Sequence, residues 1–600
     1  MDKKLVEILK RVTKPARYVG HEFLMPNVNH ETRVKFCLCF PDVYEKAMSN
    51  MTTSVIYHML NDRKGYSCER CFAPWPDMGK ELAREKYPLF SLENKTSLSA
   101  FDILNFHFTT PMQYTNMLYM LSLAQIPLES ERRKEDFPFV CATGICMANP
   151  EPLASFIDFA IIGDQEDATI KVIDTVMKGK LSKLPKQKIL DQIANIDGVY
   201  IPRNVEVVLD KTGILKEMKG KVVKRQIVRD LDRAYFPEKP MVSNERPLFE
   251  RYNIEIMRGC TRGCRFCQAG FMYRPIRERR VQNIVAKVNS AVIQSGLKEV
   301  GLLALSSADY GHMPELLKLM NNLSKEREFK LLTPSLRADM LKAKIVSQAG
   351  RNAYALSIEA GSERLRNVIN RALSDDQIFS LLADAFKNGY VTLKLNFMIG
   401  LPFETSKDLL SIATLVEKIK IIYNQTRAFK KPLSINIAIE AFIPKAFTPF
   451  EWCQFIGVKE AQKRQEFLRV ALKKKGVRLV FRDPQNSMIE AVLSRGDRKL
   501  SKVLKSAFMG GAIFDTEPKL FNFKAYESAF KKNMVEPQEY LKRFQKDDAF
   551  AFDLVDIGVS KDFLYGEYEK AKKAETTPDC RLGCKGCGLS KMGVCVNGGC

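Results

Sequence analysis

Between residues about 30 and 178, short continuous apolar runs alternate with segments whose apolar residues recur every three or four positions. TRVKFCLCF, FDILNFHF, PFVCATG and FAIIGD read as buried strands, and EKAMSNMTTSVIYHML, MQYTNMLYMLSLAQ and ATIKVIDTVMK as helices. Continuous apolar strands alternating with helices predict a parallel sheet covered on both faces. The expectation is an α/β chain that opens with a Rossmann-like domain over residues 1–180. No G-x-G-x-x-G follows the first strand, so a dinucleotide site is unsupported. Residues 181–249 are mixed, with VYIPRNVEVVLD and VVKRQIVRDLD as strand candidates. They read as a linker or β-rich insertion without chemistry of its own.

The alternation resumes over residues 250–450. YNIEIM, EVGLLAL, FKLLTPS, AYALSIEA, VTLKLNFMIG and SINIAIEAFI are candidate strands, separated by helical patterns such as RVQNIVAKVNSAVIQSG and DQIFSLLADAFKNG. Six such βα units predict a partial (βα)6 barrel, whose chemistry belongs on loops at the carboxyl ends of its strands. Residues 451–575 are mostly helical in pattern, and residues 576–600 form a cysteine-rich tail. No stretch reaches the roughly 18 uncharged apolar residues of a membrane span. The start has no apolar run suited to a signal peptide. A soluble cytoplasmic protein without a membrane partner is expected.

Composition changes this picture in two places. The formal net charge is +24, which admits RNA or a ribosomal particle as substrate, although no basic run with interleaved aromatics is present. There are 15 cysteines, and a reducing compartment turns clustered cysteines toward metal or redox chemistry. Cys37, Cys39, Cys68, Cys71, Cys141, Cys146 and Cys453 are scattered and are expected as small core residues. The others form two clusters. Cys260, Cys264 and Cys267 have the spacing C-x3-C-x2-C directly after the first barrel strand. Three thiolates leave one iron of a [4Fe–4S] cube open; structural zinc would need a fourth ligand, and the next histidine, His312, is 45 residues beyond Cys267. Gly259 and Gly263 let the chain wrap closely, and Arg262 and Arg265 are expected to offset cluster charge.

CTRGCRFC, with the aromatic Phe266 before its third cysteine, resembles the signature of radical S-adenosylmethionine (radical SAM) enzymes. The resemblance implies that the open iron chelates S-adenosylmethionine (SAM), and that an electron, from a flavodoxin- or ferredoxin-type donor, cleaves it to methionine and a 5′-deoxyadenosyl radical. It also distributes roles along the barrel. Ser306, Ser307 and Asp309 in LALSSADYG are candidates for the amino group of SAM. Ser357, Glu359 and Arg371 in ALSIEAGSERLRNVINR resemble a pattern shared with methylthiotransferases. There Glu359 would meet the ribose and Arg371 the SAM carboxylate. Asn396, Met398 and Gly400 in LKLNFMIGLPFET would pack near the adenine, and the backbone of EAFIPKAFTPFEW would cradle its edge.

RGCTRGCRFCQAGFMYRPIRERR, IPKAFTPFEW and IEAVLSRGDRKL, with FPDVYEKAMSN, QYTN and NPEPLASFIDFAIIGD upstream, resemble a subgroup of uncharacterised function. That subgroup carries a cobalamin-binding-like amino-terminal domain. Whether cobalamin binds here stays open, because D-x-H-x-x-G is absent and none of His21, His30, His58, His107 and His312 lies in such a motif. The tail repeats the spacing at Cys580, Cys584 and Cys587, with Cys595 as candidate fourth ligand and Cys600 beyond it. Zinc and a second [4Fe–4S] cluster are both compatible with four thiolates. The expected function is radical chemistry serving methylthio or methyl transfer; the alternative is a metal-stabilised module that binds nucleic acid or protein without catalysis.

Overall fold

The computed structural model describes residues 2–28, 32–332, 353–473, 476–593 and 595; His30, Cys600 and the end of FKLLTPS lie outside them. The amino-terminal unit is a six-stranded sheet, order β2-β1-β3-β4-β5-β6. Its strands are β1 (Phe36–Phe40), β2 (Cys68–Phe72), β3 (Ile103–His107), β4 (Phe139–Thr143), β5 (Phe159–Ile161) and β6 (Val199–Tyr200). The first five are parallel, and β6 closes one edge antiparallel. Every residue of β1, FCLCF, is buried, as expected of a strand covered by helices on both faces. The edge strand β2, CERCF, escapes the pattern because Glu69 and Arg70 interrupt its apolar run. Arg70 is buried between Glu22 and Glu93. The seven scattered cysteines are all buried.

The segment expected as a linker or β-rich insertion has a structural task. β7 (Glu206–Leu209) and β8 (Leu215–Lys219) form a hairpin, and β9 (Val223–Lys224) pairs with the late strand β19 (Val555–Asp556). Just after β9, the buried Arg225 donates to the carbonyl oxygens of Ile557 (2.6 Å), Met272 and Arg274. It thereby ties this segment to the turn behind the three barrel cysteines.

The barrel is built from two parallel sheets. One holds β10 (Tyr252–Glu255), β13 (Glu299–Leu303) and β14 (Lys330–Leu332). The other holds β15 (Tyr354–Glu359), β16 (Thr392–Ile399), β17 (Ser434–Ala441) and β18 (Val477–Phe481). A short antiparallel pair, β11 (Met257–Arg258) with β12 (Arg277–Glu278), brackets the cysteine loop. The strand β18 lies in the region read as helical; its alternating VRLVF is half-exposed and too short for periodicity alone to settle. In β16, Leu393, Leu395, Phe397 and Ile399 are buried against the outer helices, while Thr392, Lys394, Asn396 and Met398 take the other face. The period of two thus sets which side chains the barrel mouth receives. Helices between 484 and 532 then pack against the amino-terminal unit within one shared core.

Gly400 ends β16 at φ 74°, and a Cβ there would lie 2.5 Å from Ile456 Cδ1. Gly400→Ala meets both backbone strain and overpacking, and is expected to cost about 1–3 kcal/mol. The urea midpoint measures this, and an unchanged midpoint would contradict it.

Candidate radical SAM site

The cysteine loop leaves β11 through Gly259, at φ 90°, where a Cβ would sit 2.5 Å from the Pro275 carbonyl oxygen and 2.6 Å from that of Tyr273. Only glycine allows this approach. Cys264 is buried, and Cys260 and Cys267 are half-buried. Burial pushes the Cys267 thiol up to about 12, with the Cys264 and Cys260 thiols adding to the effect. Among the described residues, no three His, Cys, Asp or Glu side chains are already closed to metal-holding distance. The donor set still fits an iron–sulfur cluster. Three thiols lie on one short loop, and the Arg371 guanidinium is set against it, with Nη1 3.8 Å from Cys264 Sγ and Nη2 donating to the Ser357 carbonyl oxygen at 2.8 Å.

Two arginines expected to offset cluster charge are committed elsewhere. Arg265 is fully buried and donates to Glu567 (3.0 Å) and to the carbonyl oxygens of Val368 (2.9 Å) and Glu575 (2.8 Å). Arg262 forks onto Asp309, with Nε 2.8 Å from Oδ2. Arg371 is the guanidinium set against Cys264 Sγ.

The remaining sequence-derived residues fall into three groups. At the end of β13, the Asp309 carboxylate is taken up by Arg262, Arg581 (3.3 Å) and the Ser306 hydroxyl (2.6 Å). Ser307 Oγ, by contrast, is buried without a hydrogen-bond partner among the described residues, an open hydroxyl where an amino group is expected. On β15 and β16, Ser357 opposes Asn396 in register, and Asn396 Nδ2 donates to Ser357 Oγ at 3.1 Å. A register shift between Ser357 and Glu359 accompanies φ 71° at Glu359. Burial raises the Glu359 carboxyl, with Arg371 opposing and Glu440 reinforcing. Met398 lies opposite Glu440 on the same face. Phe266 packs on the main core, and Gly400 lies against Ile456. In the tail, Cys580 and Cys587 are buried and Cys584 is exposed. Cys595 is disulfide-bonded.

The pattern along the chain did not disclose an ion web joining the amino-terminal sheet to the barrel. Arg258, next to Gly259, forks onto Glu255 with both distances 2.9 Å. Its Nη1 also meets Asp164 at 3.1 Å and Glu166 at 2.9 Å. Arg277 joins Asp164 from the other side at 2.5 Å. The signal lay in IIGDQED, where acidic residues directly follow a buried strand. A cavity of about 310 Å³ lies at this junction, lined by His107, Glu166, Glu255, Met257, Gly259 and Tyr273 among others. His107 Nδ1 lies 3.3 Å from both Gln165 Nε2 and Thr143 Oγ1, and burial lowers the ring to about 4, which keeps it neutral. A second missed group holds the loop after β17, where Glu490 is clamped by Lys445 and Arg482.

The family profile "Radical SAM proteins, N-terminal" matches residues 52–202, and "Radical SAM superfamily" matches residues 254–416. The chain belongs to the radical SAM superfamily. Radical SAM proteins use a [4Fe–4S] cluster and SAM, and the loop 260–267 falls inside the second match. An uncharacterized protein of Methanocaldococcus jannaschii is 27% identical over 416 residues, covering 69% of this chain and 82% of that one. The ribosomal protein uS12 methylthiotransferase RimO of Pseudothermotoga lettingae is 24% identical over 324 residues, covering 47% and 74%. Among solved structures, the radical SAM methyltransferase TsrM of Kitasatospora setae, with cobalamin and a [4Fe–4S] cluster bound, aligns at TM-score 0.45 and 11% identity. That alignment covers 84% of this chain and 99% of TsrM.

Two outcomes follow from the ion pairs. Arg258→Met leaves buried carboxylates unpaired and is expected to lower stability by about 3–5 kcal/mol in urea unfolding; a loss near zero would contradict the web. Burial alone would raise Glu490, yet Lys445 and Arg482 hold it at about 2, below its ordinary 4.5. Its contribution is complete above pH 4.5 and lost as pH falls toward 2. Glu490→Gln is expected to flatten the acid limb of the stability curve in that window, and an identical limb would contradict it.

Proposed function

We propose that this chain reductively cleaves SAM at a cluster held by Cys260, Cys264 and Cys267, and transfers a methyl or methylthio group to a substrate seated beside Gly259. The observation that carries this reading is the position of the cavity, which Gly259 lines and Cys260 directly follows. When bound, the reduced cluster supplies the electron that converts SAM to methionine and a 5′-deoxyadenosyl radical. Arg371 places a cation beside the Cys264 sulfur, favouring an anionic cluster there. Ser307 offers its open hydroxyl to the SAM amino group, in place of the committed Asp309. Glu359, Ser357, Asn396 and Met398 present one inner face to the ribose and adenine. The Glu359 carboxylate can accept from the ribose hydroxyls.

The carboxylates at the cavity favour an uncharged or cationic reacting group over a phosphate-bearing one. The +24 charge and the likeness to a ribosomal protein methylthiotransferase support a reacting group carried on RNA or a ribosomal protein. An acidic flavodoxin- or ferredoxin-type donor matches the basic surface. No step is assigned to cobalamin.

The test is anaerobic reconstitution with iron and sulfide, followed by dithionite and SAM. The wild-type chain is expected to form 5′-deoxyadenosine, and the Cys260→Ala, Cys264→Ala, Cys267→Ala triple variant only the background of buffer. Zinc in place of iron, without cleavage by the wild-type chain, would overturn the reading in favour of a non-catalytic binding module.

A further inference from the structure

The tail is folded against the outer side of the cysteine loop. Thr261 Oγ1 donates to Asp579 at 2.8 Å, and the Cys580 amide reaches the Thr261 carbonyl oxygen at 3.5 Å. Asn370, buried at φ 52°, joins three segments. Its Nδ2 donates to the carbonyl oxygens of Arg262 (3.3 Å), Gly263 (3.1 Å) and Thr577 (3.1 Å), while its Oδ1 accepts from the Thr577 amide at 2.9 Å. Arg581 donates to the Asp309 carbonyl oxygen at 2.7 Å. The backbone between the two cysteine clusters is thus shared.

The tail thiols themselves have the features of a metal knuckle. Gly583, Gly586 and Gly588 take φ values of 124°, 72° and 110°, curling the chain around the cysteines. The Gly586 amide donates to Cys584 Sγ at 3.4 Å, a bond that favours a thiolate. Arg274, buried, lines one crevice with Gly263 and Cys580, and its Nη2 lies 3.1 Å from where a Cβ on Gly263 would sit. One guanidinium therefore sits between the cysteine loop and the tail thiol, where it offsets added negative charge.

We propose that Cys580, Cys584 and Cys587 form a second, thiophilic metal centre seated on the outer face of the catalytic loop. Filling it holds Thr577 and Asp579 against Thr261–Gly263, so that the first site loads fully only when the second is occupied. This rests on the reading of Cys260, Cys264 and Cys267 as cluster ligands. The thiols lose their protons to solvent as the metal binds. Zinc, with solvent as its fourth ligand, and an iron–sulfur cluster share this chemistry, and metal counting tells them apart.

The full chain is reconstituted anaerobically with ferrous iron and sulfide, with and without zinc, and iron, sulfide and zinc are counted. The barrel-cysteine triple variant is expected to keep the second centre, as one zinc or about four irons. Cys584→Ser, at an exposed position, is expected to lose that metal and to drop occupancy of the first site several-fold. Asp579→Ala keeps all the tail thiols and is expected to retain the tail metal while losing first-site iron; it decides the coupling should Cys584→Ser fail to fold. Unchanged metal content in Cys584→Ser overturns the second centre. Loss of tail metal with a fully loaded first site overturns the coupling. Failure of the proposed function reads differently, as two filled sites in the wild-type chain with no 5′-deoxyadenosine.

Discussion

The guanidinium of Arg258 is the point on which the arrangement turns. It lies one residue before the glycine that opens the catalytic loop, and it is held by Glu255 from its own strand and by Asp164 and Glu166 from the amino-terminal sheet. A charge buried this deeply is tolerated only with its partners in place. The amino-terminal sheet therefore cannot shift or rotate on the barrel without breaking the pairs that Asp164 and Glu166 make with Arg258 and Arg277. This fixes the depth of the cavity between them and the direction in which the loop leaves β11.

The loop is held from its other side by contacts of a different kind. Arg225 satisfies carbonyl oxygens, Asn370 satisfies backbone on two segments, and Arg265 donates to the Val368 and Glu575 carbonyl oxygens. These are directional hydrogen bonds to main chain, and they define backbone path more than they add stability. A loop that must present three sulfurs to one ion cluster benefits from this, because the positions of Cβ atoms follow the backbone. The cation beside the sulfur comes from another strand unit, through Arg371, so the charge of the site and the shape of its loop are set by separate elements.

The strands that position this site were legible because each carries a clean period: continuous in β1 and alternating in β16. The three cysteines were legible because their spacing is local. What escaped was whatever depends on partners distant in the chain. CERCF reads as polar until Glu22 and Glu93 enclose Arg70. Arg262 and Arg265 look like free cations beside a cluster until Asp309 and Glu567 claim them. Asp309 looks like an acceptor for a ligand until Arg581 reaches it from the tail. The resemblance to radical SAM enzymes located the fold and the cofactor pair, but it did not predict that the tail would lie against the loop.

The distances along the chain between these partners have a consequence for how the molecule is made. Arg265 meets a carboxylate 302 positions later, and Thr261 one that is 318 positions later. Contacts this remote close last and slowly. During synthesis the three barrel cysteines therefore emerge, and the strands around them pair, well before the residues that finish their loop have left the ribosome. For that interval the thiols sit on an unfinished, more accessible loop, open to whichever metal or carrier arrives first. If these thiols hold the proposed cluster, delivery of iron and sulfur becomes a matter of timing relative to the arrival of the last helix, not of affinity alone.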